Sequence, residues 1–217
     1  MFWTLLLAHF VGDFVLQTDW MVKKRDSFWV LASHAMIHFM IMFLLVGWVR
    51  SAIWPYLLMI AAWHFIQDRI KINVTKKRPA SIALSFFVDQ GVHMLVIWAV
   101  IGLYQEVSGE IAAAGKPAGV MIALAFVFVT FVWFITERIF NTSNSAYLMD
   151  INQTKYPRML SRAGLVSVFL LFWHWTAAGL SLWVLNPYPR SKFRRRAVLT
   201  DGGVSLLAMI FLYWALS

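Results

Sequence analysis

Four pairs of metal-ligand-type side chains recur at a spacing of four: His9 with Asp13, His34 with His38, His64 with Asp68, and Asp89 with His93. On a helix, positions i and i+4 stand one above the other on the same face. Each pair therefore projects two ligands in one direction. Five of the six histidines and three of the ten acidic residues are used this way. Imidazole nitrogens combined with carboxylate oxygens suit a divalent transition metal, zinc first, with iron or manganese as alternatives. The candidate ligands exceed what one ion takes. Two ions could share a carboxylate, or one ion could be ringed by supporting groups, since ligating histidines usually donate their second N–H to a carboxylate. Gln17, Gln67 and Gln90 are near enough in sequence to support the ligands. Asp89 is the candidate general base. Arg69, directly after Asp68, is the candidate for binding a phosphate headgroup or a developing negative charge.

Other readings compete. One His–x3–Asp pair in an apolar helix is more often a buried hydrogen-bonded pair, and four could form a polar network holding helices together. Asp and His chains also relay protons in transporters. A haem between two histidines needs no aspartate beside each of them, which argues against it. His174, between Trp173 and Trp175, reads as an interior or interfacial histidine rather than a ligand.

The elements that carry the pairs are apolar. The chain of 217 residues is 61% hydrophobic and 13% charged. A soluble domain carries roughly 25% charged residues, so this chain lacks the polar surface to cover a particle in water. An all-α integral membrane protein is expected, a polytopic bundle of seven helices, or six, each needing ~20 residues. The apolar runs are about 2–16, 28–49, 53–72, 82–104, 120–139, 164–185 and 198–216. They are too long, and too little alternating, for barrel strands. Residues 141–162 read as the longest loop. Residues 1–104 would form a four-helix half holding the ligands, and 105–217 a carboxyl-terminal half of two or three helices in the same compact unit. With no cysteine, disulfides and thiolate chemistry are excluded. The opening apolar run has no basic stretch before it, so no cleavable signal peptide is expected.

The net charge of +9 fits cytoplasmic loops better than nucleic acid. Three, five and four Lys/Arg flank the ends of runs one, three and five, against one each after runs two and four. That bias puts the amino terminus outside. All four pairs then fall in the cytoplasmic half of the bilayer. The basic run at 190–196 breaks the pattern if seven helices cross.

The opening Leu6-x-Ala8-His9-Phe10-x-Gly12-Asp13-Phe14-x-Leu16-Gln17-Thr18-Asp19-Trp20 resembles that of the bacterial membrane family catalogued as domain of unknown function 3307. The later pairs match it in type, order and spacing: His34 with His38, His64 with Asp68, and Asp89-Gln90 with His93. The resemblance covers about residues 5–98, and the carboxyl half is similar only loosely. It implies a bacterial cytoplasmic-membrane protein and brings no activity. The residues themselves suggest a membrane-embedded metal-dependent hydrolase acting on a lipid or other small amphiphile from the cytoplasmic leaflet. A metal- or proton-coupled transporter, or a structural subunit with a buried polar network, are the alternatives. Polar residues are nearly absent from the outer halves of the first four runs, which favours a one-sided pocket over a pathway.

Overall fold

The computed structural model describes residues 1–78, 81–109, 115–171 and 193–217. Among them every regular element is helical, as expected from uninterrupted apolar runs. The chain divides into two compact units, Met1–Pro117 and Ala118–Ser217.

In the first unit, helix α1 (Phe2–Phe10) widens into a π-helical stretch at Val11–Leu16. A short helix α2 (Asp19–Lys23) follows, started by Thr18, whose hydroxyl accepts from the Met21 N–H at 3.3 Å. Helix α3 (Phe28–Met42) also ends in a π-helical stretch, Phe43–Gly47. Helix α4 spans Trp54–Lys77, with Pro55 in its first turn where no N–H is needed. Helix α5 spans Ile82–Ser108 and is closed by Gly109 at φ 68°, a left-handed position open to glycine.

These helices form a closed ring, with α1 against α3, α3 against α4, α4 against α5, and α5 back against α1. One end of the ring is filled by Leu5, Met42, Leu57, Ile60, Ile97 and Tyr104 with their neighbours. These residues precede the ligand pair along α1 and α4 and follow it along α3 and α5. Neighbouring helices therefore run in opposite directions, and the ligand pairs sit at one level. Trp29, Trp48, Leu84, Leu95 and Trp98 are exposed on the outside, as lipid-facing and interfacial residues would be.

In the second unit, α6 (Ala118–Val127) passes through a π-helical stretch, Phe128–Val132, into α7 (Trp133–Phe140). Helices α8 (Ser145–Gln153), α9 (Lys155–Leu171) and α10 (Arg194–Leu216) follow among the described residues. Its core gathers Ala125, Val129, Leu165, Val166, Met209 and Leu212. The loop expected over 141–162 is instead largely helix. Tyr147, Ile151 and Met159 bury themselves against Phe134, and Asn144 caps α8 by accepting from the Tyr147 N–H at 3.0 Å. Burial and a hydrogen bond to Glu137 push the Tyr147 phenol up to about 12.

Four of the described helices are long and apolar enough to cross a membrane: Phe28–Gly47, Ile82–Ser108, Ala118–Phe140 and Arg195–Leu216. Several apolar helices of this kind make the chain a membrane protein. The other expected spans differ for visible reasons. Phe2–Leu16 is apolar but short. Helix α4 has the length but carries Asp68, Arg69, Lys71, Lys76 and Lys77 in its carboxyl-terminal half. Most of the sixth expected span, with His174, lies outside the described residues.

Candidate metal centre

The ring of α1, α3, α4 and α5 turns its four ligand pairs toward one centre. Seven of the eight candidate side chains are buried, and Asp13 is 10% exposed. Asp13 is the hub. Its Oδ1 lies 3.1 Å from His34 Nε2, 3.1 Å from His38 Nε2 and 3.4 Å from His64 Nε2. Its Oδ2 accepts from Gln90 Nε2 at 3.0 Å and stands 3.5 Å from His9 Nε2. Gln90 also accepts from His9 Nε2 through Oε1, at 3.2 Å.

Asp13 stands in a π-helical turn of α1, a local widening often found at functional sites. Beside it, Gly12 lets the His38 ring come close. A Cβ there would lie 2.5 Å from His38 Cε1 and 2.6 Å from Nε2.

The histidines face one another nitrogen to nitrogen. His64 Nε2 is 3.2 Å from His34 Nε2, and His64 Nδ1 is 2.6 Å from His93 Nε2. The His38 and His64 ring centroids are 3.9 Å apart. In each facing pair at most one nitrogen can carry a proton along the contact, so lone pairs point into the same small volume. Three sets of donors are compact enough for one ion: His9, Asp13, His38 and His64; His34, His64 and Asp68; and Asp68, Asp89 and His93. Within each set the donor atoms lie within 4.8 Å of one another.

Two further observations fit a cation. Buried His34 Nδ1, Asp89 Oδ1 and His93 Nδ1 have no hydrogen-bond partner among the described residues, and such orphans cost about 1–3 kcal/mol each. The last two face each other at 3.8 Å. The charges also fall short of balance. With the histidines neutral, Asp13, Asp68 and Asp89, when ionised, are offset among the described residues by Lys71 alone, whose Nζ is 2.5 Å from Asp89 Oδ2. Two negative charges are left over, the charge one divalent ion would neutralise.

Lys71 was not singled out from the sequence, although His64, Asp68 and Lys71 follow one another at i, i+4 and i+7 on one face. Arg69 is not brought to the ligand cluster. One residue beyond Asp68 is about 100° around the helix, and Arg69 is accordingly exposed, its Nη1 donating to the Asp26 carbonyl at 3.1 Å. Gln17 reaches His34 Nε2 at 3.3 Å. Gln67 donates to the Asp89 backbone carbonyl at 3.4 Å and accepts from Trp63 Nε1 at 3.0 Å.

The centre is open on one side. A cavity of about 60 Å³, lined by Gln17, Met21, Arg25, His34, Asp68 and Lys71 among others, leads outward from the ligands. On the opposite side the void among His9, His38, Met42, Ile60 and Ile97 is about 10 Å³, room for one water at most. Beyond it stands the apolar fill of the ring.

The second unit has buried charges of its own. Arg158 reaches Glu137 Oε2 at 2.8 Å and Asp201 Oδ1 at 2.7 Å, and Arg162 reaches Asp201 Oδ1 at 2.7 Å. Arg162 also donates to the Val129 and Thr130 carbonyls in the π-helical stretch, where the helix leaves carbonyls without their usual partners. From the sequence, Asp201 reads as a helix-start acid; in the structure it is an inward counter-ion.

The family model described as "Protein of unknown function (DUF3307)" matches residues 1–121. That stretch includes every candidate ligand and exceeds the 5–98 over which the resemblance was read. No curated protein and no solved structure matches the chain.

Proposed function

The chain belongs to the DUF3307 family, and on that premise we propose that its first unit is a metal-dependent membrane enzyme, a hydrolase acting on a lipid or other amphiphile. The observation that carries this reading is a compact, buried His/Asp donor set open on one side only. A transporter needs a polar route on both sides of its site, and the apolar fill beyond His9 and His93 speaks against one. The charge count favours a single divalent ion, zinc by its ligand chemistry. His9, Asp13, His38 and His64 would hold it, with His34 and Asp68 joining them on the side that lines the open cavity.

Such an ion would lower the pKa of a water to ~7 and polarise a phosphoryl or acyl oxygen. The residues supply the rest. Lys71 fixes Asp89 through Oδ2, leaving Oδ1 free to take the proton that water gives up as it adds to the substrate. The ester bond then breaks, and the departing alkoxide receives that proton. Gln90 holds Asp13 in place beside His9. The expected setting is the bacterial cytoplasmic membrane, with seven spans, the amino terminus outside and the open side of the centre toward the cytoplasm.

The test joins metal content to product. Wild type should carry about one transition-metal ion per chain, and His38→Ala or His64→Ala should lose most of it. Asp89→Asn should keep the metal yet release no product from a cytoplasmic-leaflet lipid extract, read by mass spectrometry. Equal metal in wild type and both histidine variants would remove the metal reading. Metal without turnover, together with ion flux in liposomes, would replace the enzyme with a transporter.

A further inference from the structure

The open side of the centre has a charge order that the metal reading uses only in part. Its inner end is lined by buried His34 and Asp68, and its outer end by exposed Arg25. Lys71 stands between them, its side chain 24% exposed. One of its three N–H groups serves Asp89, which leaves two for the cavity. Arg25 makes no hydrogen bond or ion pair with the described residues, although its charge also acts on Asp26. Its neighbours are committed elsewhere: Lys76 pairs with Asp26 at 2.7 Å, Arg69 donates to the Asp26 carbonyl, and Lys24 lies over the Trp20 ring at 5.3 Å. Lys76 holds the exposed Asp26 carboxyl below its ordinary range. The loop is thus clamped through Asp26, and Arg25 is left beside the cavity.

We propose that this cavity is an anion seat, in which Lys71 and Arg25 grip a phosphoryl group and present it to the ligand cluster. This rests on the proposed hydrolase reading and names its substrate class. A cavity of about 60 Å³ has room for a few waters, hence for a phosphate-sized group and not for an acyl chain. Guanidinium and ammonium groups suit phosphate oxygens. Asp68 at the inner end would repel an anion, and a cation held by the ligand cluster would offset that repulsion. Helix α2 borders the cavity through Met21 and Val22, and its exposed Trp20 and Val22 suit the headgroup level of a membrane. The phosphoryl group would therefore belong to a lipid whose chains stay in the bilayer, or to a free phosphate compound from solution.

Calorimetric titration of the detergent-purified full chain tests this, with inorganic phosphate, dihexanoyl phosphatidic acid and dihexanoylglycerol as probes. Metal content is measured on the same samples. The first two probes should bind wild type and the third should not. Arg25→Gln should weaken phosphate binding about tenfold, as loss of one charge-assisted hydrogen bond does. Its metal content should not change, since Arg25 touches no ligand. Arg25 is exposed, so this variant should fold; Lys71→Met should lose at least as much affinity. Binding of phosphate but not phosphatidic acid keeps the seat and makes its source soluble. No binding of either, or equal binding by wild type and Arg25→Gln, overturns the seat and leaves the metal untouched. Phosphate binding by a wild type free of metal, still weakened by Arg25→Gln, keeps the seat and removes the metal.

Discussion

A methyl group on Gly12 would fall within 2.8 Å of three ring atoms of His38. His38 is buried and hydrogen-bonded to Asp13, so it has nowhere to retreat. Gly12→Ala is expected to cost about 1–3 kcal/mol through overpacking and to lower metal content by moving His38. Gly91, in the middle of α5, meets nothing within 4 Å. There Gly→Ala should be neutral or stabilising by up to ~1 kcal/mol through helix propensity. Unfolding of both variants by SDS in bicelles, with metal analysis, checks the pair; equal behaviour would mean that His38 does not pack on Gly12. At this scale the sequence was informative about residue type and less so about direction. Lys71 and Arg69 are both basic neighbours of Asp68, and the helical phase alone decides which faces the ligands.

At the scale of elements, two of the three described π-helical stretches stand where polar groups gather. One carries Asp13. Another, Phe128–Val132, offers its Val129 and Thr130 carbonyls to Arg162. The Arg162 guanidinium holds both those carbonyls and Asp201, so α9, α10 and the π-helical stretch between α6 and α7 depend on one another. Removing one partner of a buried ion pair leaves an uncompensated charge and costs about 3–5 kcal/mol. Asp201→Ala should therefore destabilise the protein by that order, since it takes a carboxylate from both Arg158, which keeps Glu137, and Arg162, which keeps backbone carbonyls but loses its paired charge. A change below ~1 kcal/mol in bicelle unfolding would mean that water reaches these arginines. The expectation of a loop over 141–162 failed here for a physical reason. Asn, Ser and Pro in that stretch look like breakers, but Tyr147, Ile151 and Met159 have an apolar surface to cover, and tertiary burial overrides local propensity.

For the whole molecule, the uneven loop charge gives the orientation to be tested. Reporters fused near Lys24, Lys77 and Lys155 should read cytoplasmic, and one fused near Gly115 should read external. The reverse pattern would turn the Arg25–Lys71 cavity toward the outside and replace the cytoplasmic-leaflet lipids with another substrate pool.

Helical class, a membrane setting and the four ligand-bearing faces are readable from the sequence alone, because each is a property of composition or of a period along one segment. An apolar run reports its solvent, and a spacing of four reports a shared helix face, whatever the segment packs against. The tertiary structure decided the rest. It alone brings the four faces to one centre around Asp13, sets His64 against His93 at 2.6 Å, closes one end with apolar side chains and leaves the other open beside Arg25. It alone joins Arg158 to Asp201, 43 residues away. These facts depend on which helices are neighbours, at what level and in what rotation, and no period within a single helix records that.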